Sequence, residues 1–150
     1  MRTLSIVLSL FLFSCSTITS DLTSEDLQST TIIENLDKSK SELFSLTNEW
    51  LAKTFKDSKS VIEVKDEDRG KIVGKGYSEV MHTLGVYGVT YTLTIDVQDN
   101  RVRIKFENIG DYNYRALTNV GLLTKSKEEF SAMAKNLEAY IKNSSQDDKW

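Results

Sequence analysis

His82 is the only histidine in the chain and its only side chain that ordinarily titrates near neutrality, set in Met81-His82-Thr83-Leu84-Gly85-Val86. A Ser-His-acid site on a strand-to-helix elbow would need Gly-x-Ser-x-Gly, which does not occur, and a surface histidine is the simpler reading. The stretch Gly70-Lys71-Ile72-Val73-Gly74-Lys75-Gly76 is superficially like a phosphate loop, but three residues separate its first glycines instead of four. Gly76 also stands where a Ser or Thr would bind magnesium. Asp66-Glu67-Asp68-Arg69-Gly70 hints at a calcium loop, yet its glycine is fifth instead of sixth, and Tyr77 takes the twelfth place of the bidentate glutamate. Glu63 and Glu107 are carboxylates of the type a glycosidase pairs, although acids on a wet sheet face need no such role. The residues point to a protein that is not an enzyme and needs no cofactor. An envelope hydrolase with an unrecognised polar site is the alternative.

These side chains need elements to position them. Ser39-Lys40-Ser41-Glu42 matches a capping box, and Leu43, Leu46, Trp50, Leu51 and Phe55 follow at helical spacing, so a helix is expected from about 40 to 56. Ile32 and Ile33 within residues 30–36 suggest a strand before it. From Ser60 the period changes to two, giving strands over 61–65, 71–81, 87–97 and 101–109. With Asp99-Asn100 as a two-residue turn, Val97 faces Val102, Ile95 faces Ile104 and Leu93 faces Phe106. On the other face Asp96 meets Arg103 and Thr94 meets Lys105. A second capping box, Ser126-Lys127-Glu128-Glu129, is expected to open a helix carrying Phe130, Met133, Ala134, Leu137 and Ile141 and ending near Asn143-Ser144. Between sheet and helix, residues 111–125 read as a long loop with Tyr112 and Tyr114, whose Leu117, Val120, Leu122 and Leu123 pack down as an irregular lid.

The resulting class is α+β: an antiparallel four- or five-stranded sheet with two helices on one face. Gly74 and Gly76 would lie inward beside Ile72 and let a helix pack close. Lys71, Lys75 and Tyr77 then emerge on the open face with Arg101, Arg103 and Lys105. This is the candidate ligand face, suited to an anionic envelope partner such as an acidic glycan or peptide. Glu63, Glu79, Asp96 and Glu107 share or border it, so a solvated charge ladder explains the same pattern.

At 150 residues there is room for one domain with short appendages, and 39% hydrophobic with 27% charged residues fits a globular chain. One cysteine excludes a disulfide framework within the chain, and one histidine excludes a zinc site built on two. A formal charge of -3 argues against a nucleic-acid partner. Met1-Arg2 followed by the apolar run Leu4–Phe13 has the form of a secretory signal peptide. Ten helical residues span about 15 Å, half a bilayer's hydrocarbon, so the run is too short for a stable anchor.

Leu12-Phe13-Ser14-Cys15 resembles the lipobox of bacterial lipoproteins. The resemblance implies diacylglyceryl transfer to the Cys15 thiol and cleavage between Ser14 and Cys15. The alternative is an ordinary signal peptide that ends nearby and leaves a spare thiol. Cleavage removes one base, Arg2, and no acid, so the charge passes from -3 to -4, and lipid would anchor the chain without help from a basic patch. The Ser-, Thr- and acid-rich residues after Cys15, up to Ser29, read as a tether with a reach of roughly 20 Å.

Lys38-Ser39-Lys40-Ser41-Glu42-Leu43-Phe44, Trp50-Leu51, Asp68-Arg69-Gly70-Lys71-Ile72-Val73-Gly74-Lys75-Gly76 and Tyr91-Thr92-Leu93-Thr94-Ile95 resemble a family of bacterial envelope domains of unknown function with a TBP-like fold. The resemblance covers about residues 30–115 and implies the order β-α-β-β-β-β-α, with no activity assigned and no licence for DNA binding. The expected organisation is a lipoprotein signal peptide (1–14), a lipidated Cys15 with its tether (15–29), the domain (30–144) and a polar tail (145–150). The expected location is the bacterial cell envelope, at an outer membrane or cell surface sooner than the inner membrane. There Cys15 would sit in lipid, and the domain would meet an unknown protein, glycan or peptide.

Overall fold

Period-two segments that bury one face need a cover, and two amphipathic helices supply it here. The computed structural model describes residues 22–55, 61–83 and 85–144; the expected signal peptide, Cys15 and the tail 145–150 lie outside them. The elements are β1 (Ser29–Ile33), α1 (Lys40–Thr54), β2 (Val61–Asp66), β3 (Lys71–His82), β4 (Gly85–Gln98), β5 (Arg101–Asp111) and α2 (Val120–Asn143). The sheet is antiparallel in the order β1-β5-β4-β3-β2, the five-stranded form of the expected architecture.

The β4–β5 register is the one read from the sequence, with Val97 opposite Val102, Leu93 opposite Phe106 and Asp96 opposite Arg103. Asn100 turns the chain at φ +66°. The same turn holds the entry to α1: the Lys40 amide donates to Asp99 Oδ1 at 2.7 Å, and the Asp37 amide to Asn100 Oδ1 at 2.8 Å. Ser39 accepts from the Glu42 amide as expected, at 3.3 Å. The reciprocal half of that capping box does not form, because the Glu42 carboxylate pairs with Lys38 instead.

The inward face packs against both helices. Phe130 of α2 stacks on Phe106 at 4.2 Å between centroids, and Tyr91 meets the two rings edge-on at 4.8 and 5.3 Å. Buried Trp50 donates from Nε1 to Asn136 Oδ1 at 2.7 Å, tying α1 to α2. Full burial of side chains this large contributes roughly 1.5–3 kcal/mol each. Gly76 faces this core, but what it accommodates is the Tyr91 ring, 2.1 Å from where a Cβ would stand, so the helix packs through that ring and not directly on the glycine.

Several boundaries move. α2 begins at Val120 and not at Ser126, with Asn119 as its cap accepting from the Leu122 amide at 2.9 Å. Ser126 is buried inside the helix and donates to the Leu122 carbonyl at 2.8 Å, so its hydroxyl is satisfied without capping anything. The irregular lid is therefore helical in its second half, where Leu122 and Leu123 are buried and Val120 is exposed. Finally, packing reaches further back than residue 30: β1 starts at Ser29, Leu27 joins the core, and Leu22 packs against it.

Candidate functional site

Strand alternation sends every second side chain of β3, β4 and β5 away from the helices, and the register aligns them in rows. One row reads Ile32, Arg103, Asp96, Lys71, Asp66 from β1 to β2. The next reads Thr30, Lys105, Thr94, Val73, Val64. Lys71, Lys75, Tyr77, Arg101, Arg103 and Lys105 thus share the open face, as their spacing requires.

The cations do not form a patch of one sign. Arg103 pairs with Asp96 at 2.7 Å, Lys105 with Glu107 at 2.7 Å and Lys75 with Glu63 at 2.9 Å. The hydrogen bond that Lys75 donates to Glu63, then the charge of that carboxylate, raises the Lys75 pKa above the usual lysine value. Surface pairs like these, exposed or half-buried, contribute on the order of 0–1 kcal/mol, little enough for a ligand to exchange them. Two cations differ. Arg101 donates to the neutral Gln98 side chain, from Nε at 2.9 Å, and the Lys71 side chain makes no hydrogen bond or ion pair with the described residues.

Two shallow hollows adjoin across the Arg103–Asp96 pair. Ile32, Gln98 and Arg101 line one; Gln28, Thr30, Lys71, Thr94, Lys105 and Glu107 line the other. The edge strand β1 is one wall of both. Sequence reasoning missed that wall, although Thr30 and Ile32 alternate with the inward Ile33.

The other chemical candidates do not assemble. His82 ends β3 with Nδ1 3.2 Å from Thr83 Oγ1 and its ring edge-on to Tyr87 at 6.2 Å. Among the described residues, no three His, Cys, Asp or Glu side chains come together in a way that could hold a metal. Residues 66–70 form a plain turn: Asp66 accepts from the Arg69 amide at 2.9 Å, and Gly70 sits at φ +62° with no room for a Cβ against the Val97 carbonyl. Glu63 and Glu107, the possible glycosidase pair, are each engaged by a lysine.

A second structured feature follows β5. Asp111 accepts from the Asn113 amide at 2.8 Å, from the Arg115 amide at 3.1 Å and from Arg115 Nε at 2.9 Å. Hydrogen bonding by the Arg115 side chain, with these two amides, holds the Asp111 carboxyl below the usual carboxylate range. The turn closes with the Asp111 amide donating to the Arg115 carbonyl at 2.7 Å and places Tyr114 at φ +61°. Tyr112 and Tyr114 stand exposed on it, at 68% and 73%.

The family model of a domain of unknown function (DUF4468) with TBP-like fold matches residues 30–112, the sheet and α1. Among solved structures, a TBP-like protein from Parabacteroides distasonis superposes with a TM-score of 0.66 at 14% identity, over 83% of this chain and 98% of that one. A DUF4468 family protein from Bacteroides ovatus gives 0.60 at 16% identity, over 83% and 91%. No curated protein matches the chain. Identities this low carry the fold alone.

Proposed function

Since the chain belongs to the family of domains of unknown function (DUF4468) with TBP-like fold, a membership that brings a fold but no reaction, we propose from its own residues that it is a lipid-anchored, non-catalytic binding module of the bacterial cell envelope. The anchor is Cys15, supported by Leu12-Phe13-Ser14 before it and by its being the only cysteine. The ligand face is the open side of the sheet, and its ligand carries anionic groups.

The observation that supports this most is the pair of hollows. Among the described residues, Lys71 in one and Arg101 in the other lack an acidic partner, while Arg103 and Lys105 beside them hold theirs by exchangeable surface pairs. An anion laid across the Arg103–Asp96 pair meets cations on both sides, and Arg101 can offer a bidentate fork. Catalysis would ask more. A hydrolase needs a base aligned with a nucleophile or water, and the His82 ring has Thr83 and Tyr87 beside it. The module is tested with detergent-solubilised envelope passed over the immobilised protein. Wild type should retain a component at low salt that elutes as salt rises, and the double variant Lys71→Glu/Arg101→Glu should retain none while its circular dichroism is unchanged. Equal retention by both would move the site elsewhere.

A further inference from the structure

Eight large apolar or aromatic side chains stand exposed among the described residues, and their distribution is uneven. Ile32 and Val64 lie on the two edge strands. The other six, Met81, Val86, Tyr87, Tyr112, Tyr114 and Val120, belong to one end of the sheet.

The register fixes that end. Asp111 is opposite Val89, and beyond this point β3 and β4 run on together until His82 faces Gly85, so their hairpin projects past β5 with Met81 opposite Val86. The Tyr112–Tyr114 turn leaves β5 beside that projection. Val120 opens α2 there too, because a Cβ on Gly121 would stand 2.7 Å from His82 Nε2. The opposite end is made of the turns at 67–70 and 99–100, where Asp68, Arg69, Asp99 and Asn100 are exposed.

The N-terminal chain enters at the apolar end. The Ile109 amide donates to the Leu27 carbonyl at 3.3 Å, two residues before Asp111, and Leu22 packs on the core just ahead of this point. Seven residue steps separate Cys15 from Leu22, a span of at most about 25 Å when fully extended. A domain of this size is itself roughly 35 Å across. A tether shorter than the body it holds keeps the entry end toward the lipid.

From this geometry we infer that the end bearing Met81, Val86, Tyr112 and Tyr114 rests in the headgroup layer of the membrane that holds Cys15, so that the ligand face is presented in a fixed orientation. The inference rests on the lipid anchor proposed above. Tyrosine suits the place: its ring prefers the acyl boundary and its hydroxyl the water side. The Tyr turn is held stiff by the Asp111–Arg115 network, so little ordering is lost on contact. Arg115 is neutralised by Asp111 at 2.7 Å, which fits uncharged or zwitterionic headgroups instead of a strongly anionic surface.

The test uses the full chain, expressed with radiolabelled palmitate, purified in detergent and returned to phosphatidylcholine vesicles containing a doxyl-labelled quencher lipid. With Cys15 acylated, a cysteine introduced by Met81→Cys, Tyr114→Cys or Asp68→Cys is the only free thiol to take a fluorophore. Fluorescence at positions 81 and 114 should be quenched severalfold more strongly by the lipid-borne quencher than at 68. Palmitate uptake with equal, weak quenching at all three positions would overturn the docking and leave the anchor standing. Absence of palmitate from the wild type would overturn both. Shielding of positions 81 and 114 only after envelope protein is added would assign the patch to a protein partner and overturn the lipid assignment.

Discussion

The ring of Tyr91 occupies the space where a side chain on Gly76 would begin, 2.1 Å from an ideal Cβ. A glycine on β3 thereby admits a tyrosine from β4 into the stack with Phe106 and Phe130. Gly76→Ala should therefore lower the unfolding free energy by about 1–3 kcal/mol, the cost of overpacking a filled core. Chemical denaturation followed by circular dichroism measures it, and a variant as stable as wild type would show that the ring moves aside freely.

Asp111 gives the Tyr turn a pH dependence of known sign. Its carboxyl titrates lower in the folded protein than in the unfolded chain, chiefly through Arg115, so the stabilisation is present above the unfolded value and is lost as pH falls through the folded one. Asp26 behaves likewise through its hydrogen bonds with Thr23. Melting temperature should fall on acidification below about pH 4, and Asp111→Asn should flatten that part of the curve. An unchanged slope in Asp111→Asn would place the proton uptake elsewhere.

Helix α2 separates what the sequence reveals from what it conceals. Ser126-Lys127-Glu128-Glu129 carries the full capping-box pattern yet lies inside the helix, whereas the working cap, Asn119, has Leu122 three residues on and no acid. Local pattern was outvoted by packing, because Leu122 and Leu123 extend the apolar stripe about two turns upstream. Asn119→Ala should cost about 0.5–2 kcal/mol, and Glu129→Gln should cost much less. The reverse order in urea unfolding would restore the capping box.

The β4–β5 pair was legible because an apolar period of two and a complementary charge order agree on one register, and a slip of one residue would break both. The six face residues were legible for the same reason. What alternation could not show were the irregularities between Ile62 and Val64 and between Thr90 and Thr92, which depend on pairing with a neighbouring strand, and the five-residue Asp111 turn, whose local hydrogen bonds from Asn113 and Arg115 leave no period to read. Nor could it show which acid each cation meets. Lys75 finds Glu63 on the edge strand, and Arg101 finds only an amide.

The proposed anchor, orientation and exposure of the ligand face all depend on acylation of Cys15. Radiolabelled palmitate supplied to expressing bacteria, followed by detergent phase separation, tests it directly. Wild type should carry label and enter the detergent phase, and Cys15→Ser should carry none and stay in the aqueous phase. Equal labelling of the two proteins, or an unlabelled wild type, would rule out Cys15 as the membrane anchor.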